Sequence, residues 1–269
     1  MKIAFLGGGN MANALVGGLI ARGFERGSIS VIEVSPAARE RIAAQGVRVS
    51  TAPDAGVAEA DTLVIAVKPQ DLRTALASIA SRVKEKLVVS IAAGVRVDAL
   101  SRWLGGHRRI VRCMPNTPAL VGAGITGLYA PAEVGKEDRE RAETVLRAVG
   151  EVVWLREERL IDPVTAVSAS GPAYVFWLIE QLAAYAEGTG IPREDALRLA
   201  KHCVFGAGKL ALESPAAPAE LRRGVTSKGG TTEAALNVFA EEQLGERFAR
   251  ALEAATRRGA ELGDLLGKD

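Results

Sequence analysis

The stretch that most restricts how this 269-residue chain folds is Leu6-Gly7-Gly8-Gly9-Asn10-Met11-Ala12. It lies between a short apolar run, Ile3 to Leu6, and an alanine- and leucine-rich segment ending near Arg22. That order reads as strand, tight glycine turn, helix. Gly7 supplies a positive φ for the turn, Gly9 lets the backbone approach a diphosphate, and small Ala12 lets the helix pack close to the strand. The helix's free N–H groups and dipole then face the anion. The pattern is G-x-G-x-x-A, a dinucleotide fingerprint, and its place at the opening of a βα unit makes it more specific than an isolated glycine turn. About 20 residues further on, Glu33 ends the β-branched run Ser28 to Val34, where dinucleotide folds set an acid on a ribose 2′-hydroxyl. A solvated strand-end residue is the alternative. An acid there repels a 2′-phosphate, whereas Ser35 and Arg39 can receive one, so NADH and NADPH both remain open as the cofactor.

Composition adds mainly exclusions. Hydrophobic residues make up 48% and charged residues 25%, with a net charge of +2 spread over both signs, so neither nucleic acid nor a membrane is expected as a partner. No uncharged apolar run reaches the roughly 18 residues of a membrane span, and the first strand begins too early to leave room for a signal peptide. Cys113 and Cys203 are few and far apart, which points to a reducing cytoplasm rather than a disulfide framework. His107 and His202 are the only histidines and no metal-ligand spacing is present, so no metal site is expected. The absence of G-x-S-x-G leaves acyl transfer without support. Hydride chemistry remains, because there the cofactor brings the reactivity.

Read in order, the chain alternates strand and helix as far as residue 160. Helix Pro36 to Gln45 is followed by the buried strand Asp61 to Val67, which runs into Lys68-Pro69-Gln70 at its carboxyl end, where open α/β sheets bind ligands. Lys68 is thereby placed to meet a cofactor, or is simply solvated. Helix Leu72 to Val83, strand Leu87 to Ile91 and the small-residue turn Ala92-Ala93-Gly94 come next. Then follow helix Val97 to Leu104, strand Arg109 to Met114, strand Ile125 to Ala130, helix Lys136 to Val149 and strand Val152 to Leu155. The expected architecture is an α/β Rossmann-type domain with a mostly parallel, doubly wound sheet over residues 1–160.

Residues 161–269 read as all helix, in segments Pro163 to Ser168, Pro172 to Glu187, Pro192 to Glu213, Pro218 to Arg223, Thr231 to Ala240 and Gly245 to Leu262. The apolar face of Tyr174, Phe176, Trp177, Ile179 and Leu182 exceeds what one helix of a small bundle buries, which points to an oligomer interface. A second distinctive loop, Ser227-Lys228-Gly229-Gly230-Thr231-Thr232-Glu233, leads into a helix. Its amides can cradle a carboxylate and its hydroxyls can donate to a substrate atom. Equally, Thr231 or Thr232 can cap that helix, with Glu233 favoured in its first turn.

With these residues in view, the chain resembles the pyrroline-5-carboxylate reductases, which perform the last step of proline biosynthesis. The resemblance spans nearly the whole chain. It rests on Gly7 to Ala12, Ala66 to Gln70, Ser90-Ile91-Ala92-Ala93-Gly94, Met114-Pro115-Asn116-Thr117-Pro118, Ser168-Ala169-Ser170-Gly171-Pro172-Ala173-Tyr174 and Ser227 to Thr232, all in the family's order. It implies reduction of 1-pyrroline-5-carboxylate to L-proline by NADPH or NADH in a Rossmann domain joined to an all-α dimerisation domain. A homodimer follows, with decamers in many members. By the same resemblance, the cofactor is held by Leu6, Gly7, Gly8, Gly9, Asn10, Met11, Ala66, Val67, Lys68 and Pro69, with Ala92 and Ala93 beside the nicotinamide. Glu33 and Ser35 join the cofactor set. Substrate falls to Ser227, Gly229, Gly230, Thr231 and Thr232, with Ala93 and Glu158 adjoining, and Thr232 is the catalytic residue that hydrogen-bonds the ring nitrogen. Lys228 and Ala169 stand where the family more often has proline and glycine. Two other readings compete: a dehydrogenase of a small β-hydroxy acid, with Lys209 as its lysine, and a non-catalytic dinucleotide sensor.

Overall fold

The computed structural model describes residues 1–53 and 55–268. Its backbone packs into two compact units, one of residues 1–170 with 255–269 and the other of residues 171–254.

The first unit is built on eight strands. In chain order they are β1 (Ile3–Leu6), β2 (Ile29–Ile32), β3 (Arg48–Ser50), β4 (Thr62–Ile65), β5 (Leu87–Ser90), β6 (Ile110–Met114), β7 (Gly124–Tyr129) and β8 (Gly150–Trp154). They form one sheet in the order β3-β2-β1-β4-β5-β6-β7-β8, with every neighbouring pair parallel except β6 and β7. β1 lies between β2 and β4, with Leu6 opposite both Ile32 and Ile65, so three strands end level. The chain leaves β1 in one direction along the sheet and resumes at β4 on its other side. That reversal creates the crevice at the carboxyl ends where such sheets take ligands.

Helices α1 (Asn10–Ala21), α2 (Pro36–Ala43), α3 (Ala55–Glu59), α4 (Pro69–Ala77), α5 (Val97–Trp103) and α6 (Lys136–Arg147) cover the sheet. Both faces are dry because the strands alternate between two apolar clusters. Phe5, Val31, Val64, Val89 and Val111 pack with Leu15, Leu19 and Leu146 on one side; Ala4, Leu6, Ile65 and Val88 pack with Leu72, Leu76 and Leu100 on the other. Burying each large side chain contributes about 1.5–3 kcal/mol.

Most elements fall where the sequence pattern puts them. The exceptions are short. The sequence pattern carries no signal for β3 and α3: Arg48-Val49-Ser50 has one apolar side chain on an edge strand, and Ala55–Glu59 is little more than one turn. The strand expected over Ser28 to Val34 is confined to Ile29–Ile32. The helix expected over Leu72 to Val83 begins earlier, at Pro69, ends at Ala77 and resumes as a 3-10 turn at Ala80–Arg82.

After α7 (Ile161–Val164) and a π turn at Thr165–Ala169, the second unit contains α8 (Gly171–Gly188), α9 (Arg193–Glu213), α10 (Pro218–Gly224), α11 (Thr231–Glu241) and the first half of α12 (Leu244–Leu266). α8 and α9 run along one another across a turn in which Gly190 takes φ +98°. Tyr174 meets Phe248 edge-on at 5.9 Å between ring centroids, tying α8 to α12. Among the described residues of this unit only Ala196 and Ala200 are buried, while Phe176, Trp177, Tyr185, Phe205, Phe239 and Phe248 stay exposed. Among the described residues no helix is long and apolar enough to cross a membrane.

Candidate active site

The glycine turn after β1 has the geometry a diphosphate needs. Gly7 adopts φ +101°, and a Cβ there would sit 2.7 Å from the Ala66 backbone, so only glycine fits. The Gly7 N–H donates to the Ile32 carbonyl and the Ala66 N–H to the Leu6 carbonyl, strapping the turn to β2 and β4. Gly9 precedes α1 in extended backbone, and a Cβ on it would meet open space, leaving room above the turn. The first hydrogen bond of α1 is donated by the Asn13 N–H to the Gly9 carbonyl, so Asn10, Met11 and Ala12 present N–H groups without a helical acceptor. Ala12 is fully buried against the sheet. The residues present therefore fit a dinucleotide phosphate.

Glu33 does something the sequence pattern leaves undetermined. Its Oε2 accepts the Gly8 N–H at 2.6 Å and its Oε1 accepts the Ser35 N–H at 2.7 Å. The side chain lies over Gly8, where an added Cβ would come within 3.1 Å of Glu33 Cβ and Cγ. Arg39 donates from Nη1 to the Val34 carbonyl at 2.7 Å.

Along the same edge of the sheet, Ala66 and Val67 follow β4, exposed Lys68 precedes α4, and Pro69 takes that helix's first position, where its missing N–H costs nothing. After β5, Ala92 is buried and Ala93 exposed, so one small side chain packs under the turn and the next borders solvent.

Glu158 sits in the turn before α7, and its carboxylate is occupied. Oε1 accepts the Val97 N–H at 2.8 Å, at the start of α5, and Arg112 Nη1 at 3.0 Å. Arg112 is nearly fully buried on β6. Asp162 on α7 lies 3.9 Å from Arg112, and Arg96 pairs with Asp264 on α12 at 2.6 Å. Burial pushes the Asp162 carboxyl above its ordinary value, against the pull of the Arg112 and Arg96 charges.

In the second unit, Ser227 to Gly230 forms the loop before α11, and Thr231 and Thr232 are the first two residues of that helix. Gly229 takes φ +72°, and the Gly230 N–H closes a turn on the Ser227 carbonyl. Neither threonine caps the helix; Gly230 holds the cap position without a side-chain bond. Glu233 reaches back instead, its Oε2 accepting the Gly229 N–H at 2.7 Å. A glutamate four residues beyond a glycine was the signal for that bond. The Gly229 and Gly230 amides are thus committed, which leaves the Thr231, Thr232 and Glu233 N–H groups at the helix start, ahead of the Ala234 bond to the Gly230 carbonyl. Lys209 of the hydroxy-acid alternative is exposed, with its Nζ 3.7 Å from Glu213.

Among the described residues no group of three His, Cys, Asp or Glu side chains could hold a metal ion. Cys113 and Cys203 are free thiols, and burial pushes the Cys113 thiol well above its ordinary value.

Comparison with known proteins fits this geometry. Residues 158–262 match the family described as pyrroline-5-carboxylate reductase dimerisation, and residues 2–94 match the family described as NADP oxidoreductase, coenzyme F420-dependent. The pyrroline-5-carboxylate reductase of Pseudomonas aeruginosa is 45% identical over 269 residues, covering 99% of this chain and 98% of the relative. The chain belongs to the pyrroline-5-carboxylate reductase family. The family's structure from Coxiella burnetii is 41% identical with a TM-score of 0.93, covering 97% of this chain and 98% of that one. The one from Plasmodium falciparum, solved with NADP bound, is 26% identical with a TM-score of 0.85, covering 98% of each. This membership displaces the hydroxy-acid dehydrogenase and sensor readings. It also brings the Rossmann sheet and the helical dimerisation segment into one oxidoreductase, as the motifs imply.

Proposed function

We infer that the chain reduces 1-pyrroline-5-carboxylate to L-proline with NADPH or NADH, completing proline biosynthesis. The observation that carries this reading is the glycine turn at Gly7 to Gly9, whose geometry suits a diphosphate, in a chain 45% identical to a pyrroline-5-carboxylate reductase over its whole length. Leu6 to Met11, Glu33, Ser35, Ala66 to Pro69, Ala92 and Ala93 hold the cofactor. When bound, the reduced nicotinamide supplies the hydride.

The substrate is a cyclic imine bearing a carboxylate, and its protonated C=N carbon is electrophilic, so the chain's own task is mainly orientation. Ser227, Gly229, Gly230, Thr231 and Thr232 form the substrate loop. With Glu233 on the Gly229 amide, the carboxylate falls to the N–H groups at the start of α11, those of Thr231 and Thr232 first, and the Thr232 hydroxyl serves the ring nitrogen. Glu158 supports the site at one remove, by fixing the start of α5. Residues 1–160 act as the dinucleotide-binding domain and residues 161–269 as the dimerisation and substrate domain. The protein works in the cytoplasm as a homodimer that can assemble further, to a decamer.

The test is NADH and NADPH oxidation, measured separately with pyrroline-5-carboxylate. Wild type should turn over. Thr232→Ala should lose about 10- to 1,000-fold in kcat with little change in cofactor affinity, the loss of one hydrogen bond made in the transition state. Unchanged turnover by Thr232→Ala would remove the assignment.

A further inference from the structure

The carboxylate of Glu33 is held by two backbone donors from different segments: Gly8 of the glycine turn at 2.6 Å on one oxygen, and Ser35 at the head of α2 at 2.7 Å on the other. With one backbone donor on each oxygen, the carboxylate keeps further acceptor capacity. Glu33 stands at the carboxyl end of β2 beside the glycine turn, where a dinucleotide fold sets the adenosine ribose, and its two oxygens can accept from two neighbouring hydroxyls. The same arrangement is hostile to a 2′-phosphate in two ways. A fixed negative charge faces it, and the Ser35 amide, the donor at the head of α2, is already taken. The nearby cation, Arg39, spends one donor on the Val34 carbonyl at 2.7 Å.

We propose that Glu33 makes this chain select NADH over NADPH, by accepting the 2′- and 3′-hydroxyls of the adenosine ribose and excluding a 2′-phosphate. The inference rests on the reading that the glycine turn binds a nicotinamide dinucleotide. It goes further by assigning the choice between two cofactors to one side chain. Glu33 touches the adenosine end only, so its effect belongs to binding and not to hydride transfer.

The experiment is equilibrium binding of NADH and of NADPH to the full-length protein, followed by nicotinamide fluorescence and by calorimetry, for wild type, Glu33→Gln and Glu33→Ser. Wild type should bind NADH about tenfold or more tighter than NADPH, and Glu33→Ser should shrink that ratio about tenfold or more by gaining NADPH affinity. Glu33→Gln, which keeps the shape and loses the charge, should fall between them. NADPH bound as tightly as NADH by wild type, or a ratio unmoved in both variants, overturns the proposal. If Glu33→Ser does not fold, the wild-type ratio and Glu33→Gln decide it. Failure of wild type to bind either nucleotide would overturn the underlying reading as well, and is distinct from a reversed preference.

Discussion

At Gly7 two independent constraints meet on one Cα. The backbone holds φ +101°, and the space a Cβ would fill is 2.7 Å from the Ala66 carbonyl carbon and oxygen, which belong to the backbone and cannot rotate away. Gly7→Ala must therefore strain the turn and push β4 aside together. We expect a loss of at least about 2 kcal/mol and of dinucleotide binding, read by thermal unfolding and by cofactor fluorescence. Wild-type stability in Gly7→Ala would show that the turn yields. Gly7 was legible from sequence because its role is local: a turn of a given hand needs glycine whatever surrounds it. Glu33 was legible only as a residue with two readings. Its partners depend on how Ile32 registers against Leu6, and one sequence position cannot reveal which amide of a neighbouring segment will lie beside a carboxylate.

At the scale of elements, a charged cluster joins α5, β6, the turn before α7, α7 and the end of α12. Arg112 and Glu158 have side chains 4% and 23% exposed, so removing Glu158 leaves the buried Arg112 with its longer contact to Asp162, at 3.9 Å. Glu158→Ala should cost about 1.5–3 kcal/mol and free the Val97 amide, with the loss appearing in unfolding more than in substrate KM. A large KM effect with unchanged melting would instead place Glu158 at the substrate. Asp162 is the opposite case. Burial raises its folded-state value, so its stability contribution is present below the ordinary carboxylate value of 3.8 and lost as pH rises through the raised one. Asp162→Asn should therefore melt higher than wild type at pH 7, and the two melting curves should converge as pH falls below 4. A constant difference across that range would refute the assignment. Strands and helices were mostly readable because apolar periodicity encodes them directly. This cluster was not, since its members span residues 96 to 264 and only the packed sheet brings them together.

The second unit does not finish its own core. Phe176 and Trp177 on α8 remain 59% and 58% exposed, and Tyr174, Trp177, Leu178, Phe239 and Phe248 line a groove of about 810 Å³. Aromatic side chains of this size each offer about 150–250 Å² of contact surface, so a face carrying several of them half uncovered is one that a partner ordinarily covers. The surplus was visible in sequence as an α8 apolar on more sides than a small bundle covers, whereas the partner's geometry was not, because a self-complementary surface leaves no pairing signal in one chain. A second copy placed on this face removes water from both patches at once, and the isologous contact repeats every pairwise gain. Phe176→Glu with Trp177→Glu puts two charges where a dry contact is required, and the pair should yield monomers by light scattering at micromolar concentration while wild type remains dimeric. The same variant should keep its NADH affinity, because the glycine turn is built wholly within residues 1–170. Dimers surviving the double substitution would move the interface elsewhere, and a monomeric wild type would leave this apolar face without the occupant proposed for it.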